Sequence, residues 1–141
     1  MKVVDVMERD IITIDEDMTV AEASKLMREK NEGYAIVLRR CNPVGIVTER
    51  DVTWKVAGNG LDSKSLKVSE IMSSPLITVD PDEDLVQAAK QIEENKTRGL
   101  AVSRKGILYG ILTVAGVVRH FESHVETEIR AIFRYTLFPP F

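Results

Sequence analysis

The segment Gly45-Ile46-Val47-Thr48-Glu49-Arg50-Asp51 combines residue types that suit a nucleoside phosphate. Thr48 lies where an apolar strand gives way to a helix. A hydroxyl at a helix N-terminus lies beside free N–H groups and the positive end of the helix dipole, where anions bind. Asp51 carries two acceptor oxygens for the two hydroxyls of a ribose. The same Thr-x-x-Asp spacing is also typical of a helix cap, so both interpretations are open from spacing alone.

The chain repeats this segment once, 65 residues further on. Gly110-Ile111-Leu112-Thr113-Val114-Ala115-Gly116 aligns with the first copy (110 − 45 = 65), and the same offset places Thr13 on Thr78. Two copies indicate an internal duplication, since solenoids need three or more units. The copies differ at a position that matters for chemistry, because Gly116 stands where the first copy has Asp51.

Each copy is predicted to form a β-α-β-β-α unit, so we expect a mixed α/β fold. Short runs of β-branched residues predict strands, and Thr19 followed by Glu22 predicts a helix cap. Gly33 and Gly99 precede the next strands and align only if the second copy has one inserted residue (99 − 33 = 66). The expected divisions are a first repeat at 1–57, a linker at 58–67, a second repeat at 68–121 and an appended apolar segment at 122–141, with both repeats in one globular module.

The composition argues against several classes of protein. The chain has 141 residues, 44% apolar and 29% charged, with a net charge of −3, and no clustered basic stripe suits a nucleic acid. No segment has the apolar length of a signal-peptide core or a membrane span, so we expect a cytoplasmic protein without a membrane partner. Cys41 has no cysteine partner for a disulfide. No Ser-His-Asp or Cys-His arrangement is readable, which argues against an enzyme and a catalytic cofactor.

Features outside the repeated segment carry their own interpretations. His120, His124 and Glu128 would share one face of a continuous helix, a spacing compatible with a metal site, although a solvated or interface face is the competing interpretation. The apolar residues of 122–141 predict an interface, because monomers rarely expose contiguous apolar patches, and we expect a homodimer. Trp54 is expected to pack the second helix of the first repeat.

Several short motifs recur in the same order in the two copies. In the first copy they are Val3-x-x-Val6-Met7, Ile12-Thr13-Ile14, Val20-Ala21-Glu22-Ala23, Gly33-Tyr34-Ala35-Ile36-Val37 and Gly45-Ile46-Val47-Thr48-x-x-Asp51. In the second they are Val68-x-x-Ile71-Met72, Pro75-Leu76-Ile77-Thr78-Val79, Arg98-Gly99-Leu100-Ala101-Val102 and Gly110-Ile111-Leu112-Thr113. Their order at one period resembles the tandem cystathionine-β-synthase (CBS) domain pair, or Bateman module, from Val3 to about Phe121.

This resemblance implies a regulatory module rather than a catalyst. Two small sheets would pack about a pseudo-twofold axis and leave two clefts between the repeats. Such clefts commonly hold AMP, ADP or ATP, and sometimes S-adenosylmethionine. The resemblance assigns ribose contacts to Asp51 and a phosphate contact to Thr48, with Thr113 as its equivalent. The residues that would enclose the base are Ile12, Thr13, Gly33, Tyr34 and Ala35. The implied role is energy sensing, signalled to an unidentified effector protein by a conformational shift.

Two departures from the family pattern predict an asymmetric module. Gly116 cannot contact a ribose, so we expect the second cleft to be weak or empty. Arg98 precedes Gly99, where relatives often place a basic phosphate partner, and Glu32 stands before Gly33 in the first copy. Arg98 would reach the phosphate across the pseudo-twofold axis, and a solvated turn charge is its competing interpretation. The alternative function is a ligand-free module that dimerises through its helix faces and C-terminal segment.

Overall fold

The computed structural model describes residues 1–122 and 126–137 and confirms a mixed α/β fold with two small three-stranded sheets. The chain forms two compact units. The first-repeat unit comprises Asp10–Ile77. The second-repeat unit comprises Met1–Arg9 together with Thr78–Phe141.

The first-repeat unit follows the predicted β-α-β-β-α order. Its elements are β1 (Thr13–Asp15), α1 (Val20–Lys30), β2 (Tyr34–Arg39), β3 (Asn42–Thr48) and α2 (Glu49–Asp51), which continues as a π-helical turn (Val52–Val56) and a 3-10 turn (Ala57–Asn59). Strand β2 is central, parallel to β1 and antiparallel to β3. Ala35, Ile36 and Val37 are all buried, as expected for a strand covered on both faces.

The second-repeat unit repeats this order. Its elements are β4 (Thr78–Val79), α3 (Leu85–Glu94), β5 (Gly99–Arg104), β6 (Ile107–Thr113), α4 (Val114–Phe121) and α5 (Thr127–Leu137). Strand β5 is central, parallel to β4 and antiparallel to β6. The appended segment 122–141 contains α5, which is a separate helix, since α4 ends at Phe121 and α5 begins at Thr127.

The strand registers show that the two copies keep one offset throughout. Tyr34 pairs with Thr48 in the first-repeat unit, and Gly99 pairs with Thr113 in the second (99 − 34 = 65; 113 − 48 = 65). The expected insertion before Gly99 is therefore wrong. Gly33 is equivalent to Arg98, and Gly99 is equivalent to Tyr34. Matching Gly33 with Gly99 gave the wrong alignment, because a glycine before a strand is too common to mark an equivalent position.

The repeat helices begin where their caps predict. Thr19 Oγ1 accepts a hydrogen bond from the Glu22 N–H at 3.1 Å, and Asp84 Oδ2 accepts one from the Gln87 N–H at 3.3 Å. These bonds satisfy N–H groups that have no partner inside the helix. The buried faces of the two helices are equivalent and consist of Val20, Ala23 and Met27 on α1 and Leu85, Ala88 and Ile92 on α3.

Each compact unit contains the lead-in segment of the other repeat. The N-terminal segment Lys2–Arg9 belongs to the second-repeat unit, where Glu8 and Ile111 exchange two backbone hydrogen bonds. The equivalent Ser73 makes the same pair of bonds with Ile46 in the first-repeat unit. In the first-repeat unit, the segment around Ser73 therefore extends the sheet at β3. In the second-repeat unit, the segment around Glu8 extends the sheet at β6. Among the described residues, no helix combines the length and the apolar character that crossing a membrane requires.

Candidate functional site

Thr48 and Asp51 form a reciprocal cap at the start of α2. The Asp51 N–H donates to Thr48 Oγ1 at 3.2 Å, and the Thr48 N–H donates to Asp51 Oδ2 at 2.8 Å. The Thr48 hydroxyl donates to the same carboxylate oxygen at 3.1 Å. Asp51 is only 9% exposed, so its carboxylate is a buried acceptor held in one orientation. The capping interpretation is thus confirmed, and the contact of Asp51 with a ribose stays a prediction.

Lys55 places a positive charge beside this carboxylate. Its Nζ lies 3.0 Å from Asp51 Oδ1 and donates to the Ile71 carbonyl at 2.8 Å. The Lys55 side chain belongs to the π-helical turn Val52–Val56, a local irregularity that is frequent at functional sites. Lys55 was not among the predicted site residues, although an Asp and a Lys four positions apart on a predicted helix are typical of an ion pair.

Gly33 and Tyr34 lie at the same end of the sheet as Thr48. Tyr34 is the register partner of Thr48, and the Glu49 N–H donates to the Gly33 carbonyl at 2.9 Å. The Glu49 carboxylate covers Gly33, with Oε1 at 3.1 Å from the place that a Cβ would take. The predicted residues Gly33, Tyr34 and Thr48 are therefore brought together, in company with a carboxylate that the sequence analysis did not assign.

The other residues predicted to enclose the base lie on β1, just before it, and on β2. Ile12 and Ala35 are buried within the hydrophobic cluster of the first-repeat unit. Thr13 is exposed at the start of β1 and is the register partner of Ile36, whose N–H donates to the Ile12 carbonyl at 2.9 Å. Their roles as pocket residues stay predictions, since Ile12 and Ala35 also serve the core.

The second-repeat unit has an equivalent helix start without an aspartate. The Gly116 N–H donates to Thr113 Oγ1 at 2.9 Å, and Thr113 is 9% exposed. Arg98 is exposed, and its carbonyl accepts from the Val114 N–H at 3.1 Å, which places its backbone beside this helix start. The residue that fills the space next to Gly116 is Glu8, which the sequence analysis did not identify because it lies 108 positions away (116 − 8 = 108).

Trp54 is expected to pack the second helix of the first repeat, and its ring contacts a residue of that helix. Its side chain is 65% exposed, and the guanidinium carbon of Arg50 lies 4.7 Å from the centre of its ring. A cation over an indole face is favourable even at the surface, so the tryptophan is covered by its own helix rather than by the core.

A metal site is not formed by the predicted residues that the structure describes. His120 lies in the last turn of α4, with its ring edge-on to Phe121 at 5.0 Å. Glu128 belongs to the separate helix α5, and His124 lies outside the described residues. Within residues 1–122 and 126–137 no three His, Cys, Asp or Glu side chains are grouped as metal ligands.

Comparison with known proteins gives a family match for both halves of the chain. The model of the CBS domain matches residues 3–58 and 68–123. An uncharacterised protein of Methanocaldococcus jannaschii is 36% identical over 84% of this chain, which spans only 31% of that relative's length. A hexameric CBS-CP12 protein from bloom-forming cyanobacteria is 33% identical with a TM-score of 0.79, covering 93% of this chain and 81% of that one.

A third match concerns the fold alone. The CBS domain pair of the protein MJ0100 is 24% identical, with a TM-score of 0.78 over 89% of this chain and 98% of that one. That structure is described as a complex with 5′-methylthioadenosine and S-adenosyl-L-methionine.

Proposed function

The chain belongs to the CBS domain family as a tandem pair, and from this premise we propose that it is a regulatory module that binds an adenosine nucleotide and signals to a partner protein. The favoured ligands are AMP, ADP and ATP. Ligand binding would favour one conformation of the module over another, and the partner would distinguish the two.

The observation that carries this proposal is the buried Asp51 carboxylate at the start of α2. Its Oδ2 accepts two hydrogen bonds from Thr48, and its Oδ1 faces the Lys55 ammonium. A carboxylate offers about four acceptor positions, so the two hydroxyls of a ribose would use the remaining position and displace either the ammonium or the Thr48 hydroxyl. A structural cap alone does not require the additional cation at Oδ1.

Lys55 also bears on the choice of ligand. Its side chain is about half exposed, and its ammonium, 3.0 Å from Asp51 Oδ1, lies within reach of a group attached to a ribose at Asp51. A phosphate there would gain a charge-assisted hydrogen bond, whereas the sulfonium cation of S-adenosylmethionine would face a like charge. The ligand named for MJ0100 supports the adenosine part of the proposal, and Lys55 supports the phosphate part. Arg98 and Thr113, both in the second-repeat unit, stay proposed phosphate contacts.

The proposal is tested by thermal unfolding of the wild type and of Asp51→Asn with AMP, ADP, ATP and S-adenosylmethionine. A ligand at about a hundred times its dissociation constant adds roughly 2.7 kcal/mol to the free energy of unfolding. We expect a shift with a nucleotide in the wild type and a clearly smaller shift in Asp51→Asn, because this variant lacks the ribose contact of the first-repeat unit.

Because Asp51 also caps α2, the matched control is Thr19→Ala, which removes the cap of α1 in the same unit. This variant should lose about 1 kcal/mol of stability and keep the full ligand shift. If no adenosine compound shifts the wild type, the nucleotide proposal is wrong.

A specific observation favours the alternative function of assembly. Ile129 and Ile132 of α5 are 45% and 62% exposed, and the cyanobacterial relative is described as hexameric. Exposed aliphatic side chains on one helix are typical of surfaces that associate. In this alternative the module self-associates through α5 and other helix faces. The thermal unfolding experiment with adenosine ligands separates the two functions, because an assembly module would show no nucleotide shift.

A further inference from the structure

The second repeat has Gly116 where the first has Asp51, so its helix lacks the carboxylate. The carboxylate of Glu8 lies next to the position that the missing side chain would occupy. A Cβ built on Gly116 would lie 3.1 Å from Glu8 Oε1 and 3.0 Å from Thr113 Oγ1. The carboxylate of Glu8 therefore borders the volume that an aspartate at position 116 would occupy. The absence of a side chain at Gly116 is what leaves room for it.

The backbone holds Glu8 in this position. Its N–H donates to the Ile111 carbonyl at 2.8 Å, and its carbonyl accepts from the Ile111 N–H at 2.9 Å. The Glu8 carboxylate is also paired with the Arg119 guanidinium on α4. The Glu8 side chain is 22% exposed, so it is fixed at the helix start while still open to solvent on one side.

The equivalent positions of the first repeat show the reverse arrangement. Ser73 is equivalent to Glu8 (73 − 8 = 65) and forms the same backbone pair, with Ile46, but it has no carboxylate. There the helix supplies the acid, as Asp51, and Lys55 supplies the cation. In one unit the helix carries the carboxylate and the lead-in segment a serine; in the other the lead-in segment carries the carboxylate and the helix a glycine.

Both units thus assemble a hydroxyl, a carboxylate and a cation at one helix start. The first-repeat unit uses Thr48, Asp51 and Lys55. The second-repeat unit uses Thr113, Glu8 and Arg119. If the Glu8–Arg119 ion pair served only to hold the N-terminal segment, the Glu8 carboxylate would not need to lie beside the Thr113 hydroxyl. Position 116 would then not need to be a glycine to leave space for that carboxylate.

We propose that Glu8 is the ribose-binding carboxylate of a second nucleotide site in the second-repeat unit, where it accepts the ribose hydroxyls that position 116 cannot. This inference rests on the proposed nucleotide-binding function and revises the expectation of a single principal site. Arg119 acts as a positioning residue that holds the Glu8 carboxylate. Arg98, beside the same helix start, supplies a cation for the phosphate.

The experiment is calorimetric titration of the full chain with AMP, comparing wild type, Asp51→Asn, Glu8→Gln and the double variant. We expect two equivalents of AMP per wild-type chain, one in each single variant and, in the double variant, only weak binding of the strength expected without ribose contacts. If Glu8→Gln binds AMP with the stoichiometry and affinity of the wild type, the inference is overturned while the proposed function stands. If the wild type binds no AMP, both are overturned.

A second probe separates ribose contact from a structural role. In the Asp51→Asn background, 2′,3′-dideoxyadenosine 5′-monophosphate should bind the remaining site about tenfold to a hundredfold more weakly than AMP, as expected for lost hydrogen bonds to a charged group. Glu8→Gln should then weaken AMP binding strongly and leave the dideoxy compound almost unaffected. Equal losses for both compounds would mean that Glu8 only stabilises the unit. The AMP to dideoxy comparison needs no Glu8 variant, so it remains decisive if Glu8→Gln does not fold.

Discussion

Thr48 and Thr113 occupy equivalent helix starts, but their hydroxyls have different partners. Thr113 Oγ1 accepts one hydrogen bond, from the Gly116 N–H. Thr48 Oγ1 accepts from the Asp51 N–H and also donates to the Asp51 carboxylate. Because hydrogen bonds to charged groups are about twice as strong as neutral ones, the two threonines should differ in their contribution to stability.

We expect Thr113→Ala to lower the free energy of unfolding by about 1 kcal/mol and Thr48→Ala by about 2 kcal/mol. The measurement is urea denaturation at neutral pH. Thr48→Ser and Thr113→Ser are the controls, since each keeps the hydroxyl and should lose a few tenths of a kcal/mol at most. Equal losses in the two alanine variants would show that the Thr48 to Asp51 hydroxyl bond adds nothing.

At the scale of the elements, helix starts are determined by the local sequence, whereas contacts between distant segments are not. Helix starts at Thr19, Thr48, Asp84 and Thr113 follow from capping residues that act on their own next turn, so they could be predicted. The place of Glu8 beside Gly116 could not, because it depends on which strand edge the N-terminal segment extends. Lys55 lay between these cases, since its pairing with Asp51 is local but its bond to the Ile71 carbonyl is not.

Ion pairs of Arg104 with Asp80 and Asp82 connect the hairpin of β5 and β6 to the turn before α3. Arg104 donates to Asp80 through Nε at 3.0 Å and Nη2 at 2.7 Å, and Nη2 also donates to Asp82 at 2.5 Å. The hydrogen bonds from Arg104, followed by the bond from the Asp82 N–H, lower the pKa of Asp80 from 3.8 to about 2. Arg104 likewise lowers the pKa of Asp82.

This lowered pKa predicts a loss of stability in acid. The folded chain binds a proton at Asp80 less readily than the unfolded chain, so the contribution is fully present above 3.8 and is lost as pH falls through about 2. Urea midpoints measured from neutral pH down to about 2 should therefore fall more steeply in the wild type than in Arg104→Gln. The two curves should converge at the acid end.

Lys105→Gln is the control, because it removes a charge from the same exposed turn and should keep the steep acid dependence of the wild type. The groups are exposed, so added salt should reduce the difference between the wild type and Arg104→Gln. Parallel acid profiles for wild type and Arg104→Gln would contradict the assignment.

At the scale of the whole molecule, the exchange of lead-in segments links each repeat to residues far away in sequence. Val3 and Val68 are equivalent and both are completely buried, Val3 in the second-repeat unit and Val68 in the first. The Val3 N–H donates to the Glu83 carbonyl at 2.9 Å. A defect in the first residues of the chain should therefore appear in the second-repeat unit, which resumes at Thr78, and not in the repeat that follows directly.

Val3→Ala and Val68→Ala test this exchange against each other. Each removes two methyl groups from a filled core and should cost about 2 kcal/mol. In amide hydrogen exchange, we expect Val3→Ala to raise exchange by about tenfold or more in β6, where the Ile111 N–H is paired with Glu8, with a smaller effect in β3. Val68→Ala should do the opposite, raising exchange in β3, where the Ile46 N–H is paired with Ser73. If Val3→Ala instead opens β3, the N-terminal segment packs on its own repeat, and Glu8 could not then lie beside Gly116.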